Sequence, residues 1–222
     1  MYEDGKMELK DKKINILGDS ITQGIGASVY EKSFPAVLAA KTGAIVRNYG
    51  MGGTRIAKQK KLGIYEGPDV DYNGRAPQME DDADIVLVFG GTNDFGHGDA
   101  PFGEPGDRTL WTFYGGMRLL IEKLKEKYPA SLIVVMTPTH RSSENVTVNE
   151  IGIPCRRLID YVNAEKEIAG EYGIPVLDMW NECDVNPLKE GHTEKYMPDG
   201  LHPNDAGHEK IADTIIEFFK NV

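Results

Sequence analysis

A chain of 222 residues is long enough to fold as one domain that buries roughly 70% of its unfolded surface. Its balance of 40% hydrophobic to 27% charged residues excludes an intrinsically disordered protein. A net charge of −10 repels nucleic acid and anionic membranes before any local contact can form, which leaves a small neutral substrate as the expected partner.

Residues 1–6 are charged with no apolar run behind them, so the chain is read as cytoplasmic, with neither a secretory signal nor a membrane span. Residues 1–12 form an N-terminal extension. Short apolar, β-branched runs then recur at 13–17, 44–48, 84–89, 132–136 and 174–177, each predicting a strand. Between the fourth run and its predecessor, Phe113, Met117, Leu120, Leu124 and Tyr128 return to one face every three or four residues and stop at Pro129, which predicts an amphipathic helix. A second helix is predicted to start at Pro154, to run through Leu158, Ile159, Val162 and Ala169, and to end before Gly173. A third, capped by Asn204, presents Ile211, Ile215, Phe218 and Phe219. Nearly continuous apolar strands alternating with helices predict a single α/β domain over 1–222, with a parallel sheet covered on both faces. The stretches 57–83, 95–109 and 141–153 are too long for simple connectors and are read as walls of a pocket. Cys155 and Cys183 are read as free thiols, as suits a chain inside the cell.

In an open α/β sheet the ligand site lies beyond the carboxyl ends of the strands, and polar and glycine residues collect there in this chain. They are Gly18-Asp19-Ser20, Tyr49-Gly50-Met51-Gly52-Gly53, Gly90-Gly91-Thr92-Asn93-Asp94, Thr137-Pro138-Thr139-His140 and Asp178-Met179-Trp180. Ser20 directly follows a strand and fits either a turn or cap residue or an exposed nucleophile, which needs a base to take its proton. His202 is the candidate base, and Asp199, three residues earlier with Gly200 between, is placed to hold its tautomer; a solvated turn before the last helix reads the same residues. A metal site is a third reading, weakened by the lack of a second cluster with ligand spacing. The backbone N–H groups of Ser20 and Gly53 and the side-chain amide of Asn93 are candidate donors to a tetrahedral oxyanion, while positive-φ turns and an Asx turn explain the same glycines and asparagine.

Taken together, Gly18-Asp19-Ser20, Asn48-Tyr49-Gly50-Met51-Gly52-Gly53, Gly91-Thr92-Asn93-Asp94 and Asp199-Gly200-Leu201-His202-Pro203 resemble the four blocks of the SGNH (GDSL) hydrolase family, in family order and over nearly the whole chain. One departure is Ile21 where the family name has leucine, a change of one apolar residue for another. The resemblance implies a flavodoxin-like three-layer α/β/α sandwich with a central five-stranded parallel sheet. It also implies ester hydrolysis through an acyl-enzyme on Ser20, Asp199 and His202, with no metal or other cofactor.

Among the remaining residues, Phe95, His140 and Trp180 are expected to line the substrate pocket, Phe113 to pack in the core and His208 to lie on the surface. His97 and His192 carry no signal, and Asn145-Val146-Thr147 fits a glycosylation acceptor that has no meaning without secretion. The expected substrate is a short acyl ester, acetyl foremost, of a polar, carbohydrate-type alcohol, because negative charge and the lack of a long amphipathic lid argue against lipid. A lysophospholipase or thioesterase is the alternative, and a non-catalytic module binding a ligand in the same crevice is another. Whether the chain works alone or as a homo-oligomer is left open.

Overall fold

Five of the apolar runs lie side by side in one all-parallel sheet in the computed structural model, which describes residues 2–3, 6–60 and 70–222. The first residues form a two-stranded antiparallel ribbon, β1 (Tyr2–Glu3) with β2 (Lys6–Met7). The sheet proper comprises β3 (Lys13–Gly18), β4 (Ile45–Gly50), β5 (Ile85–Phe89), β6 (Leu132–Met136) and β7 (Val176–Leu177), in the order β4-β3-β5-β6-β7. The chain therefore reverses direction across the sheet at β3, the first strand, whose Gly18 pairs with Gly50 on one side and Phe89 on the other. That is the flavodoxin-like order, and a crevice opens beyond the carboxyl ends where the winding reverses.

Alternate residues of a strand face opposite sides, and here both sides are buried. Val86, Val88, Ile133 and Val135 pack beneath α5 (Phe113–Lys127) and α6 (Leu158–Glu171). Ile85, Leu87, Val134 and Met136 pack beneath α2 (Phe34–Thr42) and α9 (Asp205–Phe219). Three layers result. Short helices decorate the carboxyl edge: α1 (Ser20–Gln23), α3 (Tyr72–Arg75), α4 (Thr92–His97), α7 (Met179–Glu182) and α8 (His192–Tyr196).

The predicted helices form with local reasons for their ends. Thr112 caps α5 by accepting from the Gly115 N–H, and Asn204 caps α9 by accepting from the Gly207 N–H at 3.1 Å. The second helix starts later than its proline suggested. Pro154 instead bridges Val148 in an extended segment, and α6 begins at Leu158, where Asp160 takes the Arg157 N–H at 3.0 Å. His208, expected at the surface, is fully buried. Its Nδ1 accepts from the Phe34 N–H, one of the otherwise unpaired donors of the first turn of α2, and its Nε2 lies 3.2 Å from the Ile25 carbonyl.

The long stretches are more ordered than loops. Stretch 57–83, of which 61–69 lies outside the described residues, contains α3 and a 3₁₀ turn, and its buried Tyr72 donates to the Phe89 carbonyl at 2.8 Å. The stretch from 95 opens inside α4, and in 141–153 the buried Arg141 reaches back to the Thr92 carbonyl at 3.2 Å. Both cysteines are free thiols.

Candidate active site

Ser20 sits where β3 gives way to α1, and the sharpness of this turn follows from its neighbours. Asp19 caps the helix through Oδ1, which accepts from the Ile21 N–H at 3.0 Å, and Gly24 closes it in the left-handed region at φ 103°. As the first residue of α1, Ser20 has an N–H without an intrahelical acceptor. Asn48 locks this turn to the next crossover by donating to the Thr22 carbonyl (2.8 Å) and accepting from the Gly50 N–H (2.8 Å). Gln23 does the same by accepting from the Gly52 N–H at 2.7 Å.

The opposite end of the chain supplies the imidazole. His202 Nε2 lies 3.0 Å from Ser20 Oγ, and His202 Nδ1 lies 2.7 Å from Asp199 Oδ2. A carboxylate only accepts, so Nδ1 carries the proton and Nε2 is free to accept from the serine hydroxyl. Asp199 Oδ1 also accepts from the backbone N–H groups of Leu201 and His202, at 2.9 and 2.6 Å. Burial works against the charged Asp199, yet these bonds from His202 and Leu201 together hold its pKa below the usual carboxylate value. Gly200 reaches φ 77°, which lets the chain double back within this turn, and its carbonyl accepts from the Ser142 N–H at 2.9 Å. Asp205 fastens the turn from below, accepting from the N–H and the hydroxyl of Ser28 at 2.7 Å each.

Gly53 and Asn93 lie on adjoining segments. Gly53 has φ 74°, and a methyl group on neighbouring Gly52 would sit 3.7 Å from Ser20 Cβ. Asn93 Nδ2 donates to the Thr54 carbonyl at 3.0 Å, while Asp94 accepts from the N–H groups of Ile56 and Ala57. Gly50 is required for a different reason from the positive-φ turn read from the sequence: a Cβ there would overlap the backbone of Thr22 and Gln23. Beneath these segments the buried Arg75 guanidinium donates to the Tyr49 and Gly18 carbonyls (2.6 and 2.8 Å) and to Thr54 Oγ1 (2.9 Å), tying together the ends of two strands. Burial raises the pKa of nearby acids, Asp19 to about 6, Asp94 to about 7 and Glu165 well above the usual range.

The predicted pocket residues divide. Phe95 is fully buried, packed edge-on against Tyr161 with ring centroids 6.0 Å apart, because it joins the apolar cluster between the sheet and α6; it packs in the core and does not line the crevice. His140 and Trp180 follow β6 and β7 at the same edge of the sheet as Ser20, half-buried, with ring centroids 3.8 Å apart. His140 Nδ1 is 2.8 Å from Glu144 and its Nε2 is 3.1 Å from the Trp180 carbonyl. Sequence reasoning missed His97, which is buried and 3.1 Å from Asn93 Oδ1; its spacing of four residues from Asn93 on one helix was the only available signal. Among the described residues no group of three or more His, Cys, Asp or Glu side chains is arranged to hold a metal ion.

Residues 16–210 match the model of the GDSL-like Lipase/Acylhydrolase family. The chain belongs to this family. The GDSL-family chain is thus a carboxylic ester hydrolase of the serine type, an esterase or lipase in the broad sense. It is 26% identical to a GDSL lipase of Mycobacterium tuberculosis over 96% of its own length and 84% of that protein's. It is 23% identical to an acetylxylan esterase of Xylanibacter ruminicola, matching 94% of this chain but spanning only 43% of that relative. A crystal structure of a Lactobacillus plantarum protein superimposes with a TM-score of 0.79 at 30% identity, covering 94% of this chain and 96% of the other. The fold also matches a lipase/acylhydrolase from Enterococcus faecalis, with a TM-score of 0.65 at 22% identity and coverage of 94% and 95%. Among the described residues of this GDSL-family protein, no helix is long and apolar enough to cross a membrane.

Proposed function

We propose that this protein is a serine esterase that removes short acyl groups, acetyl foremost, from a polar, carbohydrate-type alcohol. The observation that carries the catalytic part is the unbroken chain from Ser20 Oγ through His202 to Asp199, 3.0 and 2.7 Å long in its two links. Ser20 Oγ attacks the acyl carbonyl as its proton passes to His202 Nε2, and Asp199 stabilises the imidazolium that forms. The carbonyl oxygen, now an oxyanion, accepts from the Ser20 and Gly53 N–H groups and from Asn93 Nδ2; one such donor is worth about 2.7–4 kcal/mol of barrier. His202 returns its proton to the departing alcohol, leaving an acyl-enzyme. Water, deprotonated by the same imidazole, then releases the acid and restores the serine.

Three observations support the polar alcohol. The net charge of −10 disfavours anionic lipid surfaces, and His140 and Trp180 offer a half-buried pair of rings at the same edge of the sheet as Ser20. The likeness to an acetylxylan esterase points the same way. A lipolytic reading draws on the exposed side chains of Ile25, Val29, Tyr30 and Met51, which lie on the segments following β3 and β4 at the Ser20 edge. One experiment separates them: initial rates on p-nitrophenyl esters of two to twelve carbons, beside acetate release from acetylated xylose and glucose. Fastest turnover at two to four carbons with release from the sugars is expected; a maximum at eight carbons or more overturns the short-acyl reading. Labelling of Ser20 by a fluorophosphonate distinguishes either hydrolase from a module that only binds, since an unactivated serine does not react.

A further inference from the structure

Two of the oxyanion donors come from different crossovers, Gly53 from the segment after β4 and Asn93 from α4 after β5, so the sheet alone does not set their spacing. Hydrogen bonds join the two segments. Asp94 accepts from Ile56 and Ala57 at 3.0 and 2.9 Å, and Asn93 Nδ2 donates to the Thr54 carbonyl at 3.0 Å. A third connection runs through His97, whose Nδ1 lies 3.2 Å from Arg55 Nη1 and whose Nε2 lies 3.1 Å from Asn93 Oδ1.

The direction of every link in that third connection is determined. A guanidinium only donates, so His97 Nδ1 accepts from Arg55 and the ring proton sits on Nε2, which donates to Asn93 Oδ1. A carbonyl only accepts, so Asn93 must turn Nδ2 toward Thr54, and this independent constraint gives the same orientation of the amide. One N–H of Nδ2 is left over. Burial, reinforced by the Arg55 charge, pushes the His97 pKa down to about 4, which keeps the ring neutral with a single proton.

We propose that His97 is a positioning residue that fixes the Asn93 amide with its remaining N–H directed to the oxyanion. An asparagine amide is nearly symmetric in shape, and rotated by half a turn it would set Oδ1, an acceptor, against the developing negative charge. The His97 Nε2–H makes that rotated state unfavourable by leaving two donors face to face. The inference rests on the reading of Asn93 as an oxyanion donor given above.

The test compares His97→Gln with His97→Glu, each alone and in an Asn93→Ala background, by kcat and KM on p-nitrophenyl acetate with circular dichroism melts as the folding check. Glutamine supplies both an acceptor for Arg55 and a donor for Asn93; glutamate has the same shape and, kept ionised by pairing with Arg55 and assayed at pH 8, presents only acceptors, which turns the amide around. H97Q is expected within about threefold of the parent kcat, and H97E about 10²-fold lower with KM within about twofold, the order of one lost oxyanion donor. The gap between H97Q and H97E should vanish in the Asn93→Ala background. Equal kcat for the two variants with Asn93 present, or a gap that survives its removal, overturns the positioning role. An unchanged kcat in Asn93→Ala alone overturns the oxyanion reading beneath it and the positioning role with it. If H97E does not fold, His97→Met, which removes the donor without adding charge, is measured with the same expectation and the same overturning results.

Discussion

The Ser20 hydroxyl and the His202 imidazole are 182 positions apart in sequence and 3.0 Å apart in the folded chain. Replacing Ser20 by alanine is expected to lower kcat on p-nitrophenyl acetate by at least about 10⁴-fold, the order for a triad nucleophile. The hydroxyl contributes about 1 kcal/mol of hydrogen bonding, so Tm should move by only about 2–4 °C. Initial rates and a thermal melt check both; activity within tenfold of the parent would remove Ser20 from the reaction.

Asp199 holds the His202 tautomer but remains half-exposed, so water takes over part of its electrostatic role. Asp199→Asn should therefore cost about 10²–10³ in kcat, toward the low end for a triad carboxylate, with KM nearly unchanged. Steady-state kinetics at pH 7.5 decide it, and a loss confined to KM would assign Asp199 to substrate binding.

A methyl group at Gly50 meets backbone rather than a flexible side chain. Gly50→Ala is expected to destabilise the fold by about 1–3 kcal/mol and to shift α1, and Ser20 with it, lowering kcat by roughly 10²-fold. Gly170→Ala makes the contrast: that helical glycine in α6 has open space around its Cβ position and should give a gain of about 0.5–1 kcal/mol without changing the rate. Melting curves and rates on both variants test the pair.

Buried acids contribute to the pH dependence of stability. The carboxyl pKa values of Asp19 and Asp94 rise to about 6 and about 7 because of burial, and burial also holds that of Glu165 well above the usual carboxylate range. The unfolded chain releases these protons near pH 4, the folded chain only later, so stability falls as pH rises from about 4 through about 7. His97 and His208, whose pKa values burial lowers, work the opposite way below about pH 6.5, so the acids' share is read from a variant against the parent rather than from the parent's Tm alone. Neither Glu165 carboxyl oxygen has a hydrogen-bond partner among the described residues, and Glu165→Gln should leave Tm at pH 5 nearly unchanged while raising it by a few degrees at pH 8. Scanning fluorimetry across this range reads the slope; an equal slope in both proteins would show Glu165 ionised in the fold.

The sequence carried its information unevenly. Strands such as Ile85–Phe89 were legible because burial on both faces demands unbroken apolar, β-branched residues, and each polar motif followed such a run. The sheet order and the Ser20–His202 contact became readable only through the joint pattern of four blocks, since each alone fits a cap or a turn. His97 and His208 were illegible because their roles depend on partners far away in the chain, Arg55 and the Phe34 N–H. Phe95 misled for the converse reason: next to a polar motif, it packs into the core against Tyr161 of α6. The start of α6 was misplaced because Pro154 fits an extended bridge as well as a first helical turn.

The pinning of the His202 turn by Asp205 and of α9 by His208 has a consequence for biosynthesis. The nucleophile precedes its imidazole by 182 residues, and the turn that carries the imidazole is held in place once α9 has docked onto α2. A nascent polypeptide halted before that helix emerges would be inert toward esters, so the onset of activity reports the docking of α9.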